Sequence, residues 1–341
     1  MHSTEQLLIA ERLKHDFGII KNFLASDNTI AIIIYGGYGR DEGSWIFESS
    51  SKCLPYNDYD IILIAKEKIS TQRLNSISEE IKHAIGIRWI DLGCKTIPEL
   101  QTLRPSIYNY DLKYASKVIY GDMNIRDSIP GMDSSTLPLR EIETLYFTRL
   151  WTLLGSLDEN GLSSNSYDGE KVRLFRNQMA KAVLAIVDVL LLQKGKYHHS
   201  YCERVRRIRI YYPEKNDVSV LSEWALNEKM RPQSLLMDKI EVNKLYRRVW
   251  GIYFREMFFG LSKYYNKLID NPAQIERHLK WSVMNLMKRI GWIIIKHNKA
   301  REKDISLKIA QSYISYSFLT SNRQYLSSGI EALRHIGADI S

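Results

Sequence analysis

Apolar residues at Leu7, Leu8, Ala10, Leu13 and Phe17 recur at roughly helical spacing, which predicts an opening amphipathic helix that ends near Leu24. The pattern then changes period. Asn28 to Tyr35 (NTIAIIIY) is a β-branched run stopped by Gly36-Gly37, the signature of a buried strand entering a tight turn. A second such run, Tyr59 to Ala65 (YDIILIA), follows Asn57-Asp58. A polar helix from Ser70 to Ala84 leads to a third short strand at Ile87 to Leu92. Strands alternating with helices at this spacing indicate an α/β or α+β layer around a mixed sheet.

After the Pro- and Gly-containing stretch Asp127 to Pro138 the period becomes helical throughout. Helices are expected at Leu139 to Leu157, Gly169 to Lys194, Tyr201 to Ile210, Leu235 to Leu268, Pro272 to Asn298, Ile305 to Leu319 and Arg323 to Ile336. The expected organisation is therefore α+β: residues 1–137 form a mixed sheet with flanking helices, and residues 138–341 form an all-helical bundle. There is no fixed-period repeat and no low-complexity tract.

Composition adds one asymmetry. Of 341 residues, 45% are hydrophobic and 26% charged, an ordinary globular balance, and the net charge is +9. Residues 1–137 carry −3 and residues 138–341 carry +12. A positive surface concentrates phosphates and other anions near it without naming a substrate. Cys53, Cys94 and Cys202 include no CxxC pair and make neither a disulfide framework nor a thiolate zinc site, so a reducing cytoplasm is the expected location. The first residues lack the basic and continuous apolar regions of a signal peptide. The most apolar run, Ala182 to Leu192, is too short to span a bilayer and contains Asp188, so no membrane span is expected.

Candidate chemistry concentrates between Ile32 and Ile64. Glycines Gly36, Gly37, Gly39 and Gly43 follow a buried strand, and glycine lets backbone N–H groups approach an anion closely. Asp58 and Asp60 flank Tyr59 at a strand start, so their carboxylates share one face. Such a pair suits a hard divalent cation that bridges substrate phosphates. Asp91 sits in the next strand and joins the pair if the two strands are neighbours in register.

A strand, a glycine pair, a helix, a DxD strand and a later acid together resemble the nucleotidyltransferase superfamily of the polymerase β type. Gly36-Gly37-Tyr38-Gly39-Arg40 followed by Asp58-Tyr59-Asp60 is similar to the GGYGR form of glutamine-synthetase- and PII-modifying enzymes and of bacterial nucleotidyltransferase-like proteins. The segments from Ile90 to Leu100 and from Lys117 to Asp122 are also family-like, so the resemblance covers roughly residues 25–122. It implies Mg²⁺ (or Mn²⁺) dependence and transfer of a nucleoside monophosphate, AMP first, from a triphosphate with release of pyrophosphate. It further implies that Asp58, Asp60 and Asp91 are catalytic and hold metal, and that Gly36 and Gly37 hold phosphate. The donor expected is an NTP, with ATP favoured. The acceptor (a small molecule, a protein or RNA) and the oligomeric state stay open.

Two departures stand out. Gly37 and Asp58 lie farther apart than in the common form, which makes Glu48 to Tyr56 an insertion expected at the mouth of the site. Gly37 replaces the usual serine, leaving Ser44 as a candidate phosphate hydroxyl. Arg40 is a candidate phosphate contact or a surface ion pair. Lys171, beside Arg173 and Arg176, is a candidate nucleotide contact or part of a solvated helix face. The run Arg204, Arg206, Arg207 and Arg209 with Tyr211 and Tyr212 is either a nucleic-acid patch or a solvated face, and His198-His199 reads as structural. The seven residues between Arg289 and His297 exceed the spacing of companion ribonuclease domains. Two other functions compete with catalysis of unknown acceptor choice: a non-catalytic nucleotide- or RNA-binding module on the same fold, and an aminoglycoside-type small-molecule transferase, which the basic second half fits less well.

Overall fold

The computed structural model describes residues 4–56, 58–154, 166–167, 169–233, 236–280, 304–305, 307–314, 316, 320 and 323–335. The fold is α+β with a four-stranded mixed sheet. The chain divides into two compact units, one of residues 1–138 with 191–233, the other of residues 139–190 with 234–341. The expectation of a single boundary after residue 137 differs from this division, because the chain returns to the first unit at residue 191.

In the first unit the sheet runs in the order β5 (Ile90–Lys95), β4 (Tyr59–Ala65), β1 (Thr29–Tyr35), β6 (Lys117–Gly121). β1 is antiparallel to both β4 and β6, and β4 is parallel to β5. Ala31 through Ile34 are fully buried, the consequence of covering both faces of a central strand and the reason β1 reads as an unbroken apolar run rather than an alternating one. On one face Ile32, Ile34, Ile61 and Leu63 pack against Ile20 and Leu24 of helix α1 (Thr4–Leu24) and Ile77, Ile81 and Ile85 of α3 (Thr71–Ile85). On the other, Ile33, Ile62 and Ile64 pack against Leu100 of α4 (Ile97–Gln101), Leu112 of α5 (Ile107–Tyr114) and the 3₁₀ segment Ile125–Ser128.

α3 begins at Ser70, whose hydroxyl accepts from the Arg73 N–H, and ends at Gly86 in the left-handed region, so its ends are satisfied locally. β5 starts at Ile90, three residues later than expected, because its partner β4 starts at Tyr59. One turn of helix, α2 (Gly36–Gly39), follows β1. The expected insertion 48–56 is part of a hairpin, β2 (Trp45–Ser49) with β3 (Lys52–Pro55). Its Trp45 and Cys53 enter the core on the α1 and α3 face, so the hairpin packs behind the sheet and not at the mouth of a site on the carboxylate face.

Helices α8 (Tyr201–Tyr211) and α9 (Asn216–Met230) complete the first unit. α9 was not expected from the sequence. Its Ser219, Ser222, Glu228 and Lys229 are buried along with Val218, Leu221 and Ala225, which erases the apolar stripe that would have marked it.

The second unit is helical, with α6 (Glu141–Leu154), most of α7 (Gly169–Gln193), α10 (Lys239–Tyr265) and a helix at Arg323–His335, as the helical periodicity predicts. A capping box of Asp238 and Glu241 starts α10, and Asn266 in the left-handed region ends it. Two-residue strands β7 (Ser166–Tyr167) and β8 (Met237–Asp238) pair within it. Arg289 and His297 lie outside the described residues. Among the described residues no helix is long and apolar enough to cross a membrane.

Candidate functional site

The parallel pairing of β4 with β5 places Asp60 directly opposite Asp91. Side chains alternate across a strand, so Asp60 shares the face of Ile62 and Ile64, and Asp91 lies beside it on that face. Tyr35, the last residue of β1, is the partner of Asp60 on the other side. The register condition set by the sequence is thus met for Asp60 and Asp91. Asp58 precedes β4, and among the described residues no group of three His, Cys, Asp or Glu side chains gathers as a metal site.

Gly36 has φ +63°, and a Cβ there would lie 1.8 Å from Asp60 Oδ2 and 2.7 Å from its Cγ. The glycine is therefore required twice, by the backbone conformation and by the carboxylate seated against it. Beside Gly37 the nearest group is the Lys229 ammonium, 3.2 Å from where a Cβ would stand.

Two tyrosines frame the carboxylates and carry no signal in the sequence beyond their neighbourhood. Tyr35 is buried and its hydroxyl points to Asp91 Oδ2 at 3.4 Å, a long contact. Its ring meets Tyr108 of α5 edge-on at 5.2 Å, and Tyr108 stays 42% exposed. Burial, then Tyr108 and the Asp60 and Asp91 carboxylates, raise the Tyr35 pKa well above the ordinary phenol value, so Tyr35 is a neutral donor at any physiological pH.

The rest of the glycine segment is occupied differently from expectation. Arg40 is nearly buried: it pairs with Asp111 at 2.8 Å and Glu42 at 3.4 Å and lies over the Tyr201 ring at 4.5 Å. The Ser44 hydroxyl donates to the Lys229 carbonyl in a fully buried position. Both side chains are thus committed to holding α8 and α9, which takes them away from a phosphate. Glu42 accepts from the Ser200 hydroxyl (2.8 Å), the Tyr201 N–H (2.8 Å) and the Cys202 N–H (3.1 Å), an anion set on the N-terminus of α8. Burial alone would raise its pKa, but these bonds and Arg40 hold it below the usual carboxylate range. Lys229 reaches back to the Glu42 carbonyl and lies over Tyr201.

Lys171 is exposed on α7 in the second unit. The arginine run of α8 is used internally: Arg204 is buried against Tyr197 and Tyr201, Arg206 and Arg207 grip Glu203, and Arg209 pairs with Glu223. Glu203 is held at about 2, first by Arg206. Arg204 is thus taken out of any nucleic-acid surface, while Arg206 and Arg209 stay exposed in surface ion pairs. His198 and His199 stack at 4.1 Å ahead of α8, and burial followed by His199 pushes His198 down to about 4.

No protein-family model and no curated protein matches this sequence. Among solved structures, the chain is similar to the spectinomycin adenyltransferase AAD(9) from Enterococcus faecialis, solved with ATP and spectinomycin. The similarity is at 14% identity and a TM-score of 0.40 and covers 69% of this chain and 98% of that one.

Proposed function

We propose that the first unit transfers a nucleoside monophosphate, AMP foremost, from a nucleoside triphosphate to an acceptor hydroxyl or phosphate and releases pyrophosphate. The observation that carries this reading is the in-register pair Asp60 and Asp91 beside a glycine turn that has no room for a side chain.

Two adjacent carboxylates are a donor set that fits Mg²⁺, which takes one or two carboxylates together with substrate phosphates. Asp60 and Asp91 would hold it, with Asp58 at the strand start; the ion's contribution when bound is to neutralise triphosphate charge. The glycine turn brings backbone N–H groups close to the phosphates, and Gly36 in particular leaves the space that Asp60 fills. Asp91, the more exposed acid, accepts the proton of the attacking hydroxyl, and Tyr35 steadies it from the β1 side. Catalysis of this kind depends mainly on positioning and electrostatics, so small displacements of the pair are costly.

The test is to incubate the protein with each labelled NTP and Mg²⁺, with RNA, protein and aminoglycoside acceptors in separate arms, and to measure pyrophosphate. Asp60→Asn and Asp91→Asn are expected to lose at least about 100-fold in rate. A wild-type protein that neither binds nor turns over any NTP would end the proposal. The absence of a three-carboxylate cluster among the described residues favours one competing reading, a module that binds nucleotide without transferring it; nucleotide binding with no pyrophosphate would identify it.

A further inference from the structure

A cavity of about 740 Å³ opens on the side of the first unit away from Asp60 and Asp91. Its wall is apolar and comes from three separate elements: Leu7, Leu13 and Phe17 of α1, Trp45 and Phe47 of the hairpin, and Met230 at the end of α9. A volume of this size, walled by aliphatic and aromatic side chains with a few polar groups, is that of a small-molecule site. The spacing of the α1 residues explains why it exists. Ile20 and Leu24 go into the sheet core, while the flank carrying Leu7, Ala10 and Lys14 is left for the hairpin to face, and the hairpin does not close over it.

The rim is cationic. Lys14, Lys117 and Arg231 line the opening against one carboxylate, Asp41. Lys117 is paired with Asp41 and Arg231 with Glu5, whereas Lys14 has no carboxylate partner among the described residues. One uncompensated ammonium above an apolar chamber matches a single negative charge better than a phosphate's two.

We infer that this cavity binds a small amphipathic anion, an apolar body ending in one carboxylate. The body lies among Phe17, Trp45 and Phe47, and the head meets Lys14. This site is independent of the nucleotide reading, since none of the groups proposed for transfer lines it.

The test is titration calorimetry of the full chain with decanoate, decanol and decylamine. Decanoate is expected to bind, decanol to bind more weakly, and decylamine not to bind. Lys14→Glu, at an exposed position, should weaken decanoate about tenfold, the effect of reversing one charge near the head. Ala10→Trp should fill the chamber and abolish binding, and because Ala10 is exposed the fold is expected to tolerate it; Leu7→Trp, also at an exposed position, serves as a second blocking variant, with circular dichroism checking both. The proposal is overturned if decanoate does not bind at millimolar concentration, if decylamine binds as well, or if binding survives both tryptophan variants in folded protein. It is equally overturned if the wild type is a dimer that Ala10→Trp dissociates, since the occupant would then be a second copy of the chain.

Discussion

Replacing Gly36 by alanine tests the contact on which the proposed site is built. Two costs are separable. The backbone at φ +63° is in the left-handed region, which costs an L-residue about 1–2 kcal/mol. The new methyl would also stand 1.8 Å from Asp60 Oδ2, so that the Asp60 side chain must leave its rotamer at a cost of about 0.5–1.5 kcal/mol. Together about 1.5–3.5 kcal/mol of folding stability should be lost. In an Asp60→Ala background only the second cost disappears, since what remains of residue 60 near that position is its Cβ, 3.3 Å away. Urea denaturation of wild type, both single variants and the double variant forms a cycle in which Gly36→Ala should cost about 1 kcal/mol less without the Asp60 carboxylate. If Gly36→Ala costs the same in both backgrounds, the carboxylate is not seated against Gly36 and the argument for a glycine-turn site fails. A folded Gly36→Ala protein should also lose nucleotide binding, because the displaced carboxylate no longer lies beside Asp91.

Three further outcomes follow from the same geometry. Two carboxylates in register repel each other, so Mg²⁺ at ten times its dissociation constant should stabilise the wild type by about 1.4 kcal/mol in thermal unfolding and leave Asp91→Asn unmoved. Glu42→Ala strands three donors at the start of α8 and leaves buried Arg40 with Asp111 alone, and should cost about 3–5 kcal/mol in urea unfolding, with Glu42→Gln costing less. The folded pKa of His198, about 4, lies below its unfolded value near 6.5, so the unfolded chain takes up the proton first; stability should be full above pH 6.5, fall as pH drops towards 4, and fall less steeply in His198→Gln.

How much of this was legible in the sequence depended on whether the signal was local. β1 and β4 are long β-branched runs covered on both faces, and such runs announce themselves without knowledge of the partner. Alternation within one strand put Asp58 and Asp60 on one face, but only the register of β4 with β5 brings Asp91 opposite Asp60. The hairpin was hidden because its strands are short, with the apolar residues Trp45, Ile46, Phe47, Cys53 and Leu54 consecutive rather than alternating with polar ones, and its turn is a serine cluster that reads as loop. Tyr35 and Tyr108 were invisible as a pair, since 73 residues separate them in the chain and only the packing of α5 across the sheet joins them.

The deeper difficulty was the glycine segment itself, which serves two structures at once. Gly36 belongs to the carboxylates, while Arg40, Glu42 and Ser44 belong to α8 and α9. Read locally, an arginine and a serine beside glycines suggest a phosphate cradle; the chain's return at residue 191 gives them buried partners instead. That return also revises the charge asymmetry. Residues 191–233 carry nine Lys and Arg against five Asp and Glu, so adding them brings the first unit from −3 to +1 and leaves +8 on the second. The front is therefore near neutral overall, and the buried contacts of Arg40, Ser44 and Lys229 commit those groups to structure rather than to an incoming anion. The pull on an incoming polyanion depends on which groups stand near the site, and net charge taken over segments of sequence does not predict it. The same buried pairs tie the turn that seats Asp60 to α8 and α9, so a variant that loosens those helices should disturb the proposed chemistry without touching any residue that performs it.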